Sequence, residues 1–482
     1  MLINEKTWEF IREHANDDVR KLALKGVKDQ DVNMPIALQQ IAGRQTAFRK
    51  LPSWAAVDGI IYPPHLNMEQ CSSEMTARYK AQLVIEDGHS KTDEERSKMD
   101  DGRQMKGENK TFVDLTGGFG VDFYWMSQAF THRSCVEQNE RLCAISSENF
   151  RSLGLDCSVC CCDTATYLTE MPHADVVYLD PARRDEHGAR TYGIGDCSPN
   201  ILELLPQLIK KADRIVMKLS PMLDWRKAVG DLEATSNQQE TTSNQQEATS
   251  DQRKAISEKC SVYVNEVHIV SVDNECKELL IEVRSQKSEG SHYQVHCVNL
   301  QTNGEIQHFS FTPKALQNDT LTSHSPAPKA FHSDVLNSQS SLPASHSSLL
   351  SSGFLYEPNA SIMKAGCFAE LEMCFYVKKV ADNSHLFLSD ENLVKFPGRK
   401  FQILAISSAN QKEFKKKFSE SLVKVNQKLT SMESANIAVR NFPLTADHLR
   451  KKLKLKDGGD CYIFATTLSD GQHKLFICRK IG

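Results

Sequence analysis

A glycine-rich turn is the feature of this sequence best suited to holding a nucleotide-like ligand. Residues 113–122 read VDLTGGFGVD, so an apolar strand ends in an acid and leads through glycines into a helix start. Glycines fold the turn tightly and let a ligand lie directly against the backbone. The turn alone does not separate one class of nucleotide-binding protein from another. We predict that its cofactor-binding residues are Asp114, Thr116, Gly117, Gly118 and Gly120.

Acidic residues end the next three predicted strands. Glu137 ends the second strand, about twenty residues after the turn, where an acid can accept hydrogen bonds from both ribose hydroxyls. Asp163 ends the third strand, where a carboxylate can accept a hydrogen bond from an adenine amine. Each acid taken alone could also be a helix cap or a solvated loop charge. The ordered set predicts a nucleoside site.

The segment DPAR ends the fourth predicted strand, at the edge where open α/β sheets bind their substrates. A carboxylate and a backbone carbonyl there can accept hydrogen bonds from an amine and so hold it in a fixed orientation. Lys218 and Ser220 follow the fifth strand, and either line the substrate pocket or mark a strand end that meets solvent. We predict as catalytic residues Asp180, Pro181, Ala182 and Arg183.

Short apolar runs alternate with helical stretches from Thr111 to about Val283. This alternation indicates βαβ units and a parallel sheet. The last two runs, VYVNEVHIVSV and ELLIEV, are close enough in sequence to form an antiparallel hairpin at one edge. We therefore predict an α/β Rossmann-like core over residues 111–290. A helical region (1–83) precedes it, and a charged linker (84–110) joins the two.

Two polar segments and a basic end complete the chain. A tandem heptamer repeat within 233–256 and a Ser/His-rich stretch at 313–352 are both predicted to be disordered. The segment from 401 to 482 is basic, although the formal net charge of the chain is -4. Its cations could bind phosphates or simply form a solvated helix face. They are Lys415, Lys416, Lys417, Arg450, Lys451, Lys452, Lys454 and Lys456, of which we assign Arg450, Lys451 and Lys452 to substrate binding.

Composition narrows the class further. A chain of 482 residues, 40% hydrophobic and 25% charged, is typical of a globular protein with several domains. The amino terminus lacks the apolar core of a signal peptide and no apolar run could span a bilayer, so we expect a cytoplasmic protein without a membrane partner. The odd number of cysteines, 15, indicates reduced thiols. Cys157 and Cys160–Cys162 alternate between strand faces, so we predict small buried strand residues and no metal.

The glycine turn resembles the first motif of class I methyltransferases, in which an acid precedes G-x-G, and this resemblance implies S-adenosylmethionine as the cofactor. A dinucleotide dehydrogenase would carry G-x-G-x-x-G, but position 123 is Phe. DPAR resembles the D-P-P-aromatic motif of methyltransferases that act on exocyclic amines, with Ala182 and Arg183 as departures. D-P-P-R also occurs in enzymes that methylate carbon five of uridine. Those need a cysteine nucleophile where this chain has Ser220, so we do not expect that chemistry.

Several stretches together resemble one bacterial family of class I methyltransferases that carry a THUMP-like domain at the carboxyl end. They are EQCSSEMTARYKA, DLTGGFGVD, LDPARRD, MKLSPMLD, the NECKELL region, FLYEPNASIMKAG and LRKKLKLKDGGDCY. The resemblance implies a ferredoxin-like domain over 291–400, a THUMP-like domain over 401–482, and methyl transfer to a nucleobase in tRNA or rRNA. The alternatives are a DNA or small-molecule methyltransferase and a non-catalytic RNA-binding protein. The helix after Glu69–Ser73 either closes over the cofactor or packs against the core.

Overall fold

The computed structural model places the chain in two compact units. The first unit comprises Met1–His268 and Lys277–Tyr293, and the second comprises Ile269–Cys276 and Gln294–Gly482. Most of the predicted charged linker and of the Ser/His-rich stretch lies outside the residues that the structure describes. The structure describes residues 3–27, 29–85, 109–182, 193–243, 262–286, 292–313, 353–424 and 434–481.

Helices alone precede the first strand in the described part of the first unit, as the sequence predicted. Short polar side chains begin three of them: Asn4, Asp18 and Asn33 each accept a hydrogen bond from a backbone N–H of the first turn. The fully buried Trp54 packs in the same core as the strands of the sheet that follows. The helices are α1 (Glu5–Glu13), α2 (Val19–Lys25), α3 (Met34–Lys50), α4 (Pro52–Ala55), α5 (His65–Gln70) and α6 (Glu74–Ile85).

The sheet of the first unit has the strand order β3-β2-β1-β4-β5-β7-β6. Strands β1 to β5 are parallel, and β7 is antiparallel to β5, so the predicted α/β Rossmann-like class is confirmed. The strand order reverses between β1 and β4, which opens a crevice at the carboxyl ends of these strands. The strands are β1 (Thr111–Asp114), β2 (His132–Glu137), β3 (Ser158–Cys161), β4 (Ala174–Leu179), β5 (Ala212–Leu219), β6 (Tyr263–Val272) and β7 (Glu275–Arg284).

Helices connect these strands, and the last of them differs from the sequence prediction. We expected disorder from residue 233, but α11 continues through the first part of the heptamer repeat to Ser243. Ala, Gln and Glu in the repeat are good helix formers, so they extend a helix that already packs through Leu232. The rest of the repeat lies outside the described residues. The helices are α7 (Val121–Met126), α8 (Glu140–Ser152), α9 (Thr164–Glu170), α10 (Ile201–Lys211) and α11 (Trp225–Ser243).

The cysteine-rich strand also differs from its prediction. Because β3 is at the edge of the sheet, Cys157, Cys160 and Cys162 are only partly buried and Cys161 is exposed. The expectation of buried strand residues was therefore wrong. In the described parts of the chain, no helix is long and apolar enough to cross a membrane.

The second unit contains a seven-stranded sheet of order β11-β12-β10-β13-β16-β15-β14, together with the strands β8 and β9. Phe414 and Leu449 are buried against this sheet and bring two amphipathic helices onto it. The helices of the unit are α12 (Ala360–Ala365), α13 (Phe368–Phe375), α14 (Gln411–Lys424) and α15 (Ala446–Leu453). Its strands are β8 (Gln294–Leu300), β9 (Ile306–Phe311), β10 (Phe354–Pro358), β11 (Lys378–Lys379), β12 (Phe387–Ser389), β13 (Gly398–Ser407), β14 (Asn436–Arg440), β15 (Cys461–Thr467) and β16 (His473–Lys480).

Candidate active site

The glycine turn lies between β1 and α7, at the crevice where the strand order reverses. The Gly117 N–H donates to the Val136 carbonyl over 2.8 Å, which brings the turn against β2. A Cβ atom on Gly117 would lie 2.4 Å from the Cys135 sulfur, and one on Gly120 would lie 2.4 Å from the Phe150 ring. These close approaches explain two of the glycines by packing. Gly118 differs, because a Cβ atom there would meet no atom closer than the Thr116 carbonyl oxygen at 3.7 Å.

Gly118 and Gly120 also have backbone angles that L side chains rarely adopt. Their φ values are +55° and +84°, in the left-handed region that favours glycine. The open space beside Gly118, next to a backbone that approaches closely, is the shape that a bound ligand requires. The sequence predicted these glycines as cofactor residues, and the structure places them together at one strand end.

Glu137 lies directly beside this turn. Its Oε2 accepts a hydrogen bond from the Gly118 N–H over 2.8 Å, and its Oε1 accepts one from the Asn139 N–H over 2.7 Å. The side chain is therefore fixed in orientation at the end of β2, next to the open space beside Gly118. Both oxygens can still accept hydrogen bonds from a ligand, since a carboxylate has about four lone-pair sites.

Asp163 has a structural role that the sequence left open as an alternative. Its Oδ1 accepts a hydrogen bond from the Thr166 N–H over 2.9 Å, so it caps the start of α9. The hydrogen bonds from Thr166 lower the pKa of the Asp163 carboxyl. The prediction that Asp163 also contacts adenine stays a prediction.

A short hydrogen-bond chain links the first and fourth strands of the core. The Asp180 N–H donates to Thr116 Oγ1 over 2.6 Å, and the Thr116 hydroxyl in turn donates to Asp114 Oδ1 over 3.3 Å. Asp114 is fully buried, and burial raises the pKa of its carboxyl well above the usual range. Asp114 and Thr116 therefore set the position of the backbone at Asp180, besides shaping the turn.

Asp180 forms an ion pair with Lys218 at the crevice. Lys218 Nζ donates to Asp180 Oδ2 over 2.6 Å; the lysine side chain is 9% exposed and the aspartate side chain 35% exposed. Burial raises the pKa of Asp180, and Lys218 opposes that rise. Burial alone would lower the pKa of Lys218, but the carboxylates of Asp180 and Asp122 raise it. The interpretation of Lys218 as a strand end that meets solvent was therefore wrong.

The rest of the DPAR segment is fixed by burial and by backbone hydrogen bonds to a neighbouring segment of the chain. Pro181 is buried, and Ala182 exchanges two backbone hydrogen bonds with Ser198, at 2.8 and 3.0 Å. Arg183, the fourth predicted catalytic residue, lies outside the described residues. Ser220 is buried rather than exposed, and its Oγ accepts a hydrogen bond from the Met222 N–H over 3.2 Å. Ser220 therefore stabilises the turn that follows β5.

Five further polar residues complete this wall of the crevice, and the sequence analysis did not assign them to the site. Tyr178 donates to Asp122 Oδ2 over 2.8 Å, and Lys80 donates to Glu278 Oε2 over 2.7 Å. Ser72 donates to Asp122 Oδ2 over 2.7 Å. The signal in the sequence for Ser72 and Lys80 was the stretch EQCSSEMTARYKA. It predicted a helix that closes over the cofactor or packs against the core, but no role for these two side chains. Asp122 was visible as the last residue of the glycine motif.

The predicted substrate cations of the second unit separate into two groups. Arg450 is paired with Asp447 at 2.9 Å and with Asp457 at 2.6 Å, so its guanidinium connects α15 to the turn that follows. Lys451 and Lys452 are exposed on the same helix. Of the three residues, only these two lysines present an exposed charge.

The comparisons with known proteins agree with this architecture. Residues 354–397 match a ferredoxin-like domain, and residues 398–480 match a THUMP-like domain. The junction coincides with the start of β13, three residues before the boundary predicted at 401. No curated protein matches the chain.

Among solved structures, the crystal structure of a candidate methyltransferase from Porphyromonas gingivalis W83 is similar over 100% of both chains, with 25% identity and a TM-score of 0.71. A candidate class I S-adenosylmethionine-dependent methyltransferase from Listeria monocytogenes has 10% identity over 61% of this chain and 93% of its own, with a TM-score of 0.34. TrmK of M. capricolum, solved with S-adenosyl-homocysteine, has 11% identity over 39% of this chain and 66% of its own, with a TM-score of 0.24.

The first unit has the fold of class I methyltransferases. The sheet order, the glycine turn after β1 and the acid after β4 are all present in the first unit. The second unit adds a ferredoxin-like domain followed by a THUMP-like domain, which is the arrangement that the family resemblance implied.

Proposed function

We propose that this protein transfers the methyl group of S-adenosylmethionine to a nucleobase in RNA. The observation that carries the proposal is the convergence of the glycine turn, Glu137 and the Asp180–Lys218 pair at one crevice. The glycine backbone and Glu137 would bind the nucleoside part of the cofactor, with the ribose hydroxyls at Glu137. When bound, the cofactor supplies an electrophilic methyl group at the carboxyl edge of the sheet.

Asp180 supports an amine as the methyl acceptor. Its carboxylate is oriented by Lys218 at 2.6 Å and by the link from its own N–H to Thr116. A fixed carboxylate accepts a hydrogen bond from an N–H of the acceptor and directs the nitrogen lone pair towards the methyl group. An exocyclic amine of a base is therefore the acceptor that this geometry fits best.

The second unit supports RNA as the acceptor molecule. It contains the THUMP-like match over 398–480, and exposed lysines lie on α14 and α15. Lysine contacts to phosphates supply affinity that does not depend on base sequence and that falls with salt. A base in a single-stranded or flipped-out position could then enter the crevice.

The test of this proposal has two parts. Isothermal titration with S-adenosylmethionine should show binding at one site per chain. The purified protein should then transfer a radioactive methyl group from this cofactor to total RNA of a strain that lacks the gene, and mass spectrometry of the nucleosides should identify the product. Labelling of duplex DNA but not of RNA would favour the DNA alternative, and cofactor binding without transfer to either would contradict the proposed acceptor.

Reversing two exposed charges on α15 should weaken RNA binding. We expect Lys451→Glu/Lys452→Glu to reduce the affinity for total tRNA about 10- to 100-fold. The plot of log affinity against log salt concentration should also become less steep, by the amount that corresponds to the loss of about two phosphate contacts. A filter-binding titration at several salt concentrations measures both quantities.

The matched control makes the same charge change elsewhere. Lys21 and Lys25 on α2 are also exposed, and Lys21→Glu/Lys25→Glu alters the net charge of the protein by the same amount. If this control weakened RNA binding as much as the α15 variant, the effect would reflect net charge and the assignment of α15 would be wrong.

A further inference from the structure

A buried cluster of charged side chains lies directly behind Asp180. Lys80 is fully buried, and Asp122, Lys218 and Glu278 are each less than a tenth exposed. Charges removed from water are strongly destabilising unless they are paired and hydrogen-bonded, and well-packed apolar residues often give a more stable core. A cluster of this kind in the wall of a crevice therefore points to a functional role for these charges.

Ser72 is the point at which the members of this cluster meet. Its hydroxyl donates to Asp122 Oδ2 over 2.7 Å. The ammonium groups of Lys80 and Lys218 both donate to Ser72 Oγ, over 3.0 and 3.1 Å. Ser72 precedes α6 and Lys80 is on it, so the helical region before the first strand contributes directly to this wall.

Lys218 lies near two carboxylates, those of Asp180 and Asp122, and the position of Lys80 determines which of them it pairs with. Lys218 Nζ lies 2.6 Å from Asp180 and 3.8 Å from Asp122. Lys80 Nζ lies 3.1 Å from Asp122 Oδ1 and 2.7 Å from Glu278 Oε2. Because Lys80 already balances Asp122, the Lys218 ammonium can stay at Asp180. Glu278 in turn holds Lys80 in place.

We infer that Ser72, Lys80 and Glu278 are positioning residues that keep Lys218 paired with Asp180 and so hold the Asp180 carboxylate ready for the acceptor. This inference rests on the proposed function only for the role of the acceptor. The pairing itself is a property of the free protein. Without Lys80, Asp122 has lost its nearest cation and draws Lys218 away from Asp180.

The pairing has a consequence for the charge of Asp180. Burial, together with the neighbouring carboxylate of Asp122, raises its pKa, and Lys218 and Lys80 oppose that rise. Asp114 also lies close enough to interact with Asp180 electrostatically. Loss of Lys80 removes one cation and weakens the other, so the pKa of Asp180 should rise. On acidification, the Asp180 carboxylate would therefore be protonated at a higher pH than in the wild type. Activity that needs the carboxylate would be lost at that higher pH.

The test measures Asp180 directly in the full-length protein labelled with carbon-13 at the aspartate carboxyl groups, with the Asp180 signal assigned from Asp180→Asn. We expect Lys80→Met to raise the pKa of Asp180 by about one unit, a tenfold change in its protonation equilibrium. Lys80→Met/Asp122→Asn also neutralises the carboxylate that would draw Lys218 away, and we expect it to restore at least half of that shift. Ser72→Ala, which removes only a hydroxyl, should raise the pKa in the same direction and serves if Lys80→Met does not fold.

The control is Lys227→Met, the same substitution at an exposed lysine that pairs with Asp231; it should leave the Asp180 titration unchanged. An unchanged pKa of Asp180 in both Lys80→Met and Ser72→Ala would overturn the inference and leave a merely structural role for the cluster. A shifted pKa in a protein that transfers no methyl group to RNA would support the positioning role and contradict the proposed function. The two failures are therefore distinguishable.

Discussion

Asp180→Asn should abolish most methyl transfer while leaving the cofactor site intact. We expect kcat to fall about 100-fold or more, because an amide can neither carry the negative charge nor accept from the acceptor N–H as strongly. The backbone N–H of Asp180, which donates to Thr116, is unchanged by the substitution. The dissociation constant of S-adenosylmethionine, measured by isothermal titration, should therefore change by less than about threefold, well under 1 kcal/mol.

Glu137→Gln is the matched control for this substitution. It makes the same chemical change in the other carboxylate of the crevice, which contacts the Gly118 N–H. We expect it to weaken cofactor binding by about tenfold, since hydrogen bonds to a charged group contribute about 1.5–3 kcal/mol, with a smaller effect on kcat at saturating cofactor. If Asp180→Asn transferred methyl groups at the wild-type rate, the catalytic role assigned to Asp180 would be wrong.

Gly118→Arg should eliminate cofactor binding without unfolding the protein. The space beside Gly118 is open towards the crevice, with the nearest atom 3.7 Å from an added Cβ, so the arginine side chain would occupy the position of the ligand. We expect the affinity for S-adenosylmethionine to fall at least about 100-fold, or more than about 2.7 kcal/mol. Isothermal titration measures this loss directly.

Gly118→Ala separates the blocking effect from backbone strain. Both variants have a side chain at φ +55°, which costs roughly 1–2 kcal/mol, but alanine leaves the crevice open. The two proteins should therefore melt at similar temperatures, and only the arginine variant should lose the cofactor. Gly120 would be an unsuitable site for this test, since an added Cβ would lie 2.4 Å from Phe150. Cofactor binding by Gly118→Arg comparable to that of the alanine variant would place the ligand elsewhere.

Much of the fold was predictable because its signals are local. Alternating strands and helices, the caps of the first helices and the glycine turn each depend on residues close in sequence. The sequence predictions were wrong where the position of a segment in the tertiary structure decides its exposure or its conformation. The cysteines of β3 are partly exposed because that strand is at the edge of the sheet, and the heptamer repeat begins inside a helix. The strand order cannot be read from composition, and the helix formers of the repeat extend α11 because that helix already packs through Leu232.

The sequence by itself determined where a nucleotide-like ligand would meet the backbone, because a left-handed turn and the acids that end successive strands are encoded over short distances. Only the tertiary structure decided which charges share one buried wall. Lys80 and Glu278 are 198 residues apart, and Lys218 and Asp180 are 38 residues apart. A lysine in a sequence normally predicts an exposed side chain. Its partner and its pKa depend on burial and on which carboxylates the fold brings within a few ångströms, and this is why the positioning residues appeared only in the structure.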